Sequence, residues 1–356
     1  MTEPGTARAI TTPIGEAAAF GERLQYYRDL TRQALKDRLP TKEPRRYLYD
    51  LVLGCLESSG KGLRPAVCLA TCRAFGGRVE DALDSAAALE ILHNAFLVHD
   101  DIEDGSEFRH ARPTLHRQYG IPIAVNAGDA MQALSMRLLR NNLSTLGPEV
   151  AWQVVSEFDH MLMESLEGQA MELGWVRDNA CDVSEADYLR MTLKKTCWYS
   201  FIHPMRIGAL IARRGQMDLD RFNEFGYFLG AAFQIQDDVL NLVGSRDRYG
   251  KEIGGDLYEG KRTLVLTHLF EQASPQERRK LQNLLGRPRQ RRLPREIDWV
   301  YELLKRYGSI AFAQARAREL LDAAESAFGP TFAGAQEGDD KAFLARIIRY
   351  VVERKS

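Results

Sequence analysis

Residues 97–114 read LVHDDIEDGSEFRHARPT and place three acids, Asp100, Asp101 and Asp104, directly before a basic segment. If this stretch is helical, Asp100 and Asp104 lie one turn apart on the same face, with Asp101 beside them. Carboxylates held this close repel one another unless a cation binds between them, and oxygen ligands suit Mg²⁺ that is shared with a phosphate. The stretch therefore predicts half of a metal site.

A second acidic pair lies in FQIQDDVLNLVG at 233–244, where Asp237 and Asp238 are followed by Asn241 one turn after Asp237. Apolar residues flank both clusters, and acids on such helices are costly to bury unless they are paired or bound to metal. Structural salt bridges are the alternative explanation for either cluster. For the two clusters together, we favour two facing halves of one metal site.

The remaining sequence is mostly helical in its periodicity. Apolar residues recur at helical spacing from Glu22 onward, as in Leu24, Tyr27, Leu30 and Leu35, while alternating β patterns are nearly absent. We therefore expect an all-α bundle of long antiparallel helices, with sites built from side chains that face into the bundle. The predicted helices span roughly 20–38, 44–58, 62–74, 80–104, 114–119, 122–141, 148–173, 184–213, 218–243, 261–271, 275–285, 294–306, 308–327 and 338–353.

Size and charge narrow the class of protein. The chain has 356 residues and a formal net charge of -1, so no overall field favours nucleic acid. Five cysteines without CxxC spacing indicate reduced thiols, and we find neither a targeting signal nor a membrane span. We expect a cytoplasmic protein with a flexible tail at 1–18 and a single domain at 19–356.

Glycine and basic residues concentrate in the breaks between helices. The segments 58–65 and 244–263 combine glycine, which lets a backbone approach a ligand closely, with Lys and Arg. Two such basic groups suit two diphosphates that face metal on one side and cations on the other. The more basic run GRPRQRRLPRE at 286–296 contains no aromatic residue, and we interpret it as a solvated interhelix loop.

These motifs together resemble the trans-isoprenyl diphosphate synthase family, also called polyprenyl synthetases, which includes farnesyl and geranylgeranyl diphosphate synthases. The resemblance covers nearly all of the chain from about residue 45 onward. Its elements, in the order of the family, are GKGLRP at 60–65, ILHNAFLVHDDIED at 91–104, NAGDA at 126–130, EGQAMEL at 167–173, LKKT at 193–196, FQIQDD at 233–238 and the GK, GGD and EGKRT elements of 250–263.

The resemblance implies a role for each matching residue. The diphosphate of isopentenyl diphosphate would be held by Gly60, Lys61, Arg64 and His93. The Mg²⁺ ions on the allylic diphosphate, with Mn²⁺ as an alternative, would be coordinated by Asp100, Asp101, Asp104, Asp237 and Asp238. That diphosphate would be neutralised as it leaves by Arg109, Lys195 and Lys261, assisted by Lys251. Thr196 and Gln234 would lie near the developing cation. The fold implied is an all-α bundle around a deep central cavity, normally a homodimer.

Two positions depart from the family pattern. His110 follows Arg109 where the family usually has a second Arg, and a histidine with an ordinary pKa near 6.5 is only partly charged at neutral pH. We therefore expect His110 to contact isopentenyl diphosphate but to weaken its binding. The second cluster ends in Asn241 rather than a third Asp, and its carbonyl could still accept from a metal-bound water or bind the metal.

Product length should depend on Ala95 and Phe96, which lie about 6 to 7.5 Å deeper along the helix than Asp100. By the resemblance, aromatic residues at both positions close the pocket early, so Ala95 beside Phe96 indicates a partly opened floor. We expect a product of fifteen or twenty carbons and favour twenty. Both residues could instead be ordinary core residues.

Two other functions fit parts of the sequence. A class I terpene cyclase uses the same ionisation and similar acidic clusters, but Lys61, Arg64 and His93 argue against it because a cyclase holds no isopentenyl diphosphate. A regulatory subunit of a hetero-oligomeric prenyl synthase often loses acids from one cluster, whereas here the first trio is whole and the second keeps both leading acids. We expect a Mg²⁺-dependent short-chain prenyltransferase.

Overall fold

The computed structural model describes residues 14–58, 60–109, 112–244 and 254–353, and it confirms the predicted all-α class. Two strands of two residues each, β1 (Phe108–Arg109) and β2 (Arg112–Pro113), form a small antiparallel hairpin. The α-helices are α1 Ile14–Arg38, α2 Asp50–Ser58, α3 Leu63–Ala74, α4 Val79–Glu103, α5 Leu115–Tyr119, α6 Ile121–Leu146, α7 Pro148–Arg177, α8 Glu185–Thr192, α9 His203–Ala212, α10 Arg221–Val243, α11 Gly255–Glu259, α12 Leu264–Gln272, α13 Pro275–Leu285, α14 Pro294–Arg306, α15 Ser309–Thr331 and α16 Asp339–Glu353.

Short segments with other hydrogen-bond patterns lie between some of these helices. Arg45–Tyr49 and Leu193–Ile202 are π-helical, and Arg289–Arg291 is one turn of 3₁₀ helix. Among the described residues, no helix is long and apolar enough to cross a bilayer. Helix α1 begins at Ile14, so residues 14–18 of the predicted tail are helical, while residues 1–13 lie outside the described residues.

Local capping explains where several helices begin. Ser184 precedes α8 and accepts from the backbone of Asp187, whose carboxylate accepts in return from the Ser184 backbone. Ser274 and Glu277 form the same capping box at the start of α13. Each box provides partners for backbone N–H groups that no earlier helical turn can reach.

Helix α4 runs through the centre of the molecule and delivers the first acidic cluster. It packs on α3 and α6, and Ala86, Ala87 and Ala88 are fully buried in its middle. Because these side chains are small, neighbouring helices can approach its axis closely. The helix ends at Glu103, which leaves Asp100 and Asp101 in its last turn and Asp104 as its C-cap.

The chain from Glu185 to Ala212 forms one helical rod whose middle, Leu193–Ile202, is π-helical. Two glycines let the neighbouring helices pack directly on this segment. A Cβ on Gly168 of α7 would lie 2.3 Å from the Lys195 backbone nitrogen, and one on Gly230 of α10 would lie 2.8 Å from the Cys197 Cα. π-Helical segments are rare and often lie at functional sites, and this ten-residue segment carries Lys195 and Thr196.

The interpretation of 286–296 as a fully solvated loop is wrong for part of the run. Arg292 is 7% exposed, and Arg289 is half-buried with Nη1 3.2 Å from Glu259 Oε1. Arg291 and Arg295 are exposed, as expected. The run therefore packs against the chain that follows the second acidic cluster.

Candidate active site

A cavity of about 470 Å³ lies between α4, α7, the π-helical segment and α10. Both acidic clusters reach it, since Asp100 lines one side and Asp237 and Asp238 line the other. The two halves that the sequence predicts are therefore brought to one cavity. The cavity also receives side chains from the glycine-rich segment at 60–64 and from the segment at 256–263.

The first cluster is paired with Arg109 from the short hairpin. Arg109 Nε donates to Asp101 Oδ1 and Oδ2 at 2.9 and 3.0 Å, and its Nη2 donates to Asp100 Oδ2 at 3.2 Å. Burial lowers the pKa of Arg109, but the two carboxylates raise it by more, so the guanidinium stays charged. The strands β1 and β2 thus hold a fixed cation against the acids of α4.

Lysine residues reach the same cluster from two other elements. Lys195 Nζ lies 3.5 Å from Asp100 Oδ1 and also contacts Glu172 of α7. Lys261 Nζ donates to Asp104 Oδ2 at 2.6 Å and lies 3.1 Å from Glu259 Oε2. For both lysines, burial lowers the pKa and the neighbouring acids raise it by more.

Asp104 is strongly desolvated despite its lysine partner. Burial raises its pKa to about 7, and Lys261 offsets only part of this effect while Asp100 and Glu259 add to it. A divalent cation at this cluster would relieve both the desolvation and the repulsion.

The second cluster is held by neutral hydrogen bonds. Tyr188 OH donates to Asp238 Oδ2 at 2.7 Å, and Gln234 Nε2 donates to Asp238 Oδ1 at 2.9 Å. Thr196 Oγ1 donates to Gln234 Oε1 at 2.8 Å, which orients the amide. Burial raises the pKa of Asp238 to about 7, although these two hydrogen bonds lower it.

Asn241 forms two hydrogen bonds to the chain at the start of α11. Its Oδ1 accepts from the backbone nitrogen of Asp256 at 3.1 Å, and its carbonyl accepts from the Gly254 backbone at 2.7 Å. The residue therefore fastens the start of α11. Its predicted role in metal binding stays a prediction.

A third group of residues lines the end of the cavity around His93, which lies seven residues, or about 10 Å, before Asp100 along α4. Arg64 donates to Tyr199 OH and Ser200 Oγ, both at 2.8 Å, and its Nη1 lies 3.2 Å from His93 Nε2. The guanidinium carbon also lies 4.2 Å from the centre of the Tyr199 ring, within cation–π range. Arg64 and His93, predicted to bind one diphosphate, are therefore in contact.

Lys61 lies beside Gly60 at the same end of the cavity, and both line it. Its Nζ lies 5.3 Å from the ring centre of Tyr350 on α16, and Tyr350 also lines the cavity. The Tyr350 ring packs in turn on Phe20 of α1, with ring centres 4.9 Å apart. The first and last described helices thus support the wall behind Lys61.

The two predicted chain-length residues differ in position. Phe96 lines the cavity, and its ring meets Tyr199 edge-on at 5.5 Å. Ala95 is fully buried and is not among the described residues that line the cavity. Of the two, Phe96 is the side chain that faces the enclosed space.

Two predicted residues, His110 and Lys251, lie outside the described residues. Sequence reasoning in turn missed Glu172, Tyr188 and Tyr199, which all line the cavity. The EGQAMEL motif contains Glu172, so the signal was present although the residue was not singled out. Tyr188 and Tyr199 carry no local signal, since only the fold brings them to Asp238 and Arg64.

The donor set fits a hard divalent cation. The acidic side chains described above offer only carboxylate oxygens as ligands. Within the described ranges, no three or more His, Cys, Asp or Glu residues lie close enough together to hold a metal ion without further ligands. Mg²⁺ commonly takes one or two carboxylates and completes its shell with waters and substrate phosphates. Asp100, Asp104 and Asp237 would hold it in that manner from opposite walls.

Residues 45–304 match the family model described as polyprenyl synthetase. A short chain isoprenyl diphosphate synthase of Methanothermobacter thermautotrophicus is 32% identical over 301 residues, which cover 84% of this chain and 88% of that protein.

Two solved structures share the fold along almost their whole length. Geranylgeranyl pyrophosphate synthetase from Pyrococcus horikoshii Ot3 has a TM-score of 0.83 and 28% identity, covering 95% of this chain and 99% of its own. A polyprenyl synthase from Caulobacter crescentus CB15, complexed with calcium and isoprenyl diphosphate, has a TM-score of 0.82 and 25% identity, covering 94% and 98% respectively.

Proposed function

The chain belongs to the polyprenyl synthetase family and is a short-chain trans-prenyltransferase, and on this premise we propose that it condenses isopentenyl diphosphate with an allylic diphosphate in a Mg²⁺-dependent reaction. The observation that carries the proposal is the convergence of both acidic clusters and three half-buried cations on one cavity. Such a site is suited to the departure of a diphosphate.

Ionisation of the allylic substrate is the step that the charged residues serve. When the C–O bond breaks, negative charge develops on the leaving diphosphate, and groups fixed in advance stabilise that charge most. Bound Mg²⁺ would supply Lewis-acid stabilisation of the same charge. Arg109, Lys195 and Lys261 are already held near the acids, so little reorganisation is needed for them to bind the diphosphate oxygens.

Condensation needs the second substrate at the opposite end. Lys61, Arg64 and His93 would hold the diphosphate of isopentenyl diphosphate with its double bond facing the allylic carbocation. A new C–C bond forms to the terminal carbon of that double bond, and a proton then leaves to the departed diphosphate. Thr196 and Gln234 place oxygens near the carbocation, and their hydrogen bond at 2.8 Å fixes both.

We place the product at twenty carbons. The name of the Pyrococcus horikoshii relative supports this length, as does the half-buried Phe96 on the cavity wall. A cytoplasmic location belongs to the same proposal, since both substrates carry diphosphate groups that favour water. The experiment that measures the product length, described below, also identifies the preferred allylic starter.

The other functions receive less support. A terpene cyclase has no use for the end of the cavity where Arg64 contacts His93, Tyr199 and Ser200. A regulatory subunit has no need for four acids, Asp100, Asp101, Asp104 and Asp238, that are each held by cations or hydrogen-bond donors. Farnesyl diphosphate supplied alone should therefore yield no hydrocarbon, and the chain should be active without a partner protein of another sequence.

Product analysis tests the proposal directly. The purified protein is incubated with Mg²⁺, isopentenyl diphosphate and either dimethylallyl, geranyl or farnesyl diphosphate, and the products are identified by mass spectrometry. We expect geranylgeranyl diphosphate from each accepted starter. Hydrocarbon from farnesyl diphosphate alone, or no prenyl product from any pair, would contradict the proposal.

We also propose that the enzyme is a homodimer. Ile121, Val125, Met136 and Leu143 form an exposed apolar stripe on α6, and Trp152 on α7 is 71% exposed. Exposed apolar residues along one face of a helix are typical of an interface, and a two-fold symmetric pair can cover them with the same face of a second copy. Light scattering should give twice the chain mass, with Met136→Glu reducing it to one and the exposed control Val352→Glu leaving it unchanged.

A further inference from the structure

The turn that carries Lys261 is held by two buried arginines, Arg262, which lines the cavity, and Arg292, which does not line it among the described residues. Arg262 is 3% exposed and Arg292 is 7% exposed, although arginines are rarely buried this deeply. Among the residues described, neither guanidinium forms an ion pair with a carboxylate. Both guanidinium groups instead donate to backbone carbonyls, and that of Arg262 also donates to the side-chain amide of Asn179. They therefore hold the backbone of neighbouring segments.

Arg292 binds the middle of the turn. Its Nη1 donates to the carbonyls of Leu257 and Tyr258 at 3.1 and 2.7 Å. Its Nη2 donates to the Leu285 carbonyl at 2.6 Å, and its Nε donates to the Arg287 carbonyl in the same loop at 3.0 Å. One planar group thus ties the C-terminal half of α11 to the end of α13.

Arg262 binds the end of the same turn. Its Nε donates to the Ala180 carbonyl at 2.6 Å, its Nη2 donates to Asn179 Oδ1 at 2.7 Å, and its Nη1 contacts the Gly260 carbonyl. Lys261 therefore lies between the Gly260 carbonyl and the Arg262 side chain, both of which are held in place. Its Nζ points the other way, to Asp104 at 2.6 Å.

Gly260 shows how tightly the turn and Arg292 are packed. Its φ is +75°, and a Cβ at this position would lie 2.9 Å from both Nη1 and Nη2 of Arg292. The backbone amides of Gly260 and Lys261 both donate to the Asp256 carbonyl, at 2.8 and 3.0 Å. The guanidinium, the glycine and these two hydrogen bonds form one compact unit.

We propose that Arg292, together with Arg262, is a positioning residue that fixes the Lys261 ammonium where the departing diphosphate will lie. The inference rests on the proposed function, because it assigns Lys261 to that diphosphate. It gives a role in the reaction to the basic run at 286–296, outside the acidic clusters and the glycine-rich segments.

Lys261 needs this support because its side chain is long and flexible. Lys261 has a long side chain, so its ammonium is held only as firmly as its backbone and its partners Asp104 and Glu259 hold it. A displacement of about 1 Å at a catalytic group can cost on the order of 100-fold in rate. Arginine suits the role of Arg292 because its planar group carries five donors, whereas lysine has three on a single nitrogen.

Arg292→Lys tests the proposal, and Arg291→Lys is its matched control because Arg291 is the exposed neighbour in the same run. We expect Arg292→Lys to lower kcat/KM for the allylic diphosphate about 10- to 100-fold. The KM for isopentenyl diphosphate should stay within about twofold, since that substrate lies at the other end of the cavity. The control should match the parent enzyme in both parameters.

Hydrogen exchange gives a readout that does not depend on activity. The amides of Gly260 and Lys261 should exchange at least about tenfold faster in Arg292→Lys than in the parent, while amides of the core of α4 should be unchanged. Gly260→Ala is the second variant, because its Cβ would displace the guanidinium without removing any charge. It should reproduce both the kinetic split and the faster exchange.

The outcomes separate this inference from the proposed function. Equal losses for both substrates, normal exchange at Gly260 and Lys261, or the same defect in Arg291→Lys would overturn the role of Arg292. If the parent enzyme forms no prenyl product, the proposed function fails. In that case faster exchange in Arg292→Lys would still show that Arg292 holds the turn at Gly260 and Lys261, but it would assign no role in the reaction to that turn.

Discussion

Arg64 offers a graded test of how one diphosphate is held. Ser200→Ala and Tyr199→Phe each remove one hydroxyl that accepts from Arg64 at 2.8 Å. Arg64→Lys replaces the guanidinium, which reaches both hydroxyls, with a single ammonium group. A hydrogen bond to a charged group contributes about 1.5 to 3 kcal/mol. Each single loss leaves Arg64 partly held, so we take the lower value, about 1.5 kcal/mol, which corresponds to about tenfold in KM for isopentenyl diphosphate. Arg64→Lys should reach about 100-fold.

Steady-state kinetics measure this series, with each substrate varied while the other is saturating. The KM for the allylic diphosphate should stay close to that of the parent, because Arg64 lies at the opposite end of the cavity from Lys261. Ser135→Ala is the matched control, since Ser135 is buried and donates to the Gln132 carbonyl at 2.6 Å on α6. If both KM values rise together across the series, or Ser135→Ala behaves like Ser200→Ala, Arg64 does not act on isopentenyl diphosphate.

Three further predictions concern other parts of the chain. Phe96→Ala should open the cavity wall and lengthen the product by at least one five-carbon unit in mass spectra; an unaltered product distribution would place the floor of the pocket elsewhere. His110→Arg should lower the KM for isopentenyl diphosphate, because arginine is fully charged where histidine is only partly so; an unchanged or higher value would remove this residue from the site. Burial raises the pKa of Glu157, but hydrogen bonds from Arg206 and His203 lower it by more, to about 2 from an ordinary value of 4.5. Because the folded pKa is depressed, about 3 kcal/mol of stability should be present above about pH 4.5 and lost as the pH falls towards 2. Urea unfolding should therefore show Glu157→Gln less stable than the parent at pH 7 and the difference shrinking below pH 4; a constant difference would refute the assignment.

The helices could be read from the sequence where their signals are local. The predicted bounds of Pro275–Leu285 and Pro294–Arg306 agree with the structure because Ser274, Glu277 and the two prolines mark helix starts within a few residues. The hairpin at Phe108–Pro113 was not predicted, since two residues per strand are too few to show an alternating pattern.

The acidic residues of the site could also be located from their spacing, but their partners could not. Glu172 meets Lys195 and Tyr188 meets Asp238 only because α7, α8 and α10 pack together. Arg292 lies in a run with four other arginines, and no pattern in it distinguishes Arg292 from exposed Arg291. Its burial depends on the carbonyls of Leu257 and Tyr258, which lie 35 and 34 residues earlier in the chain.

The account depends on two facing carboxylate clusters that bind divalent cations together with a diphosphate. The most direct test is a crystal structure of the protein with Mn²⁺ and a nonreactive allylic thiolodiphosphate, recorded near the manganese absorption edge. We predict anomalous peaks from manganese ions at both clusters. One ion should be coordinated by Asp100 or Asp104 and another by Asp237, and each should also be coordinated by diphosphate oxygens. A diphosphate bound without metal, or metal at one cluster alone, would contradict the account.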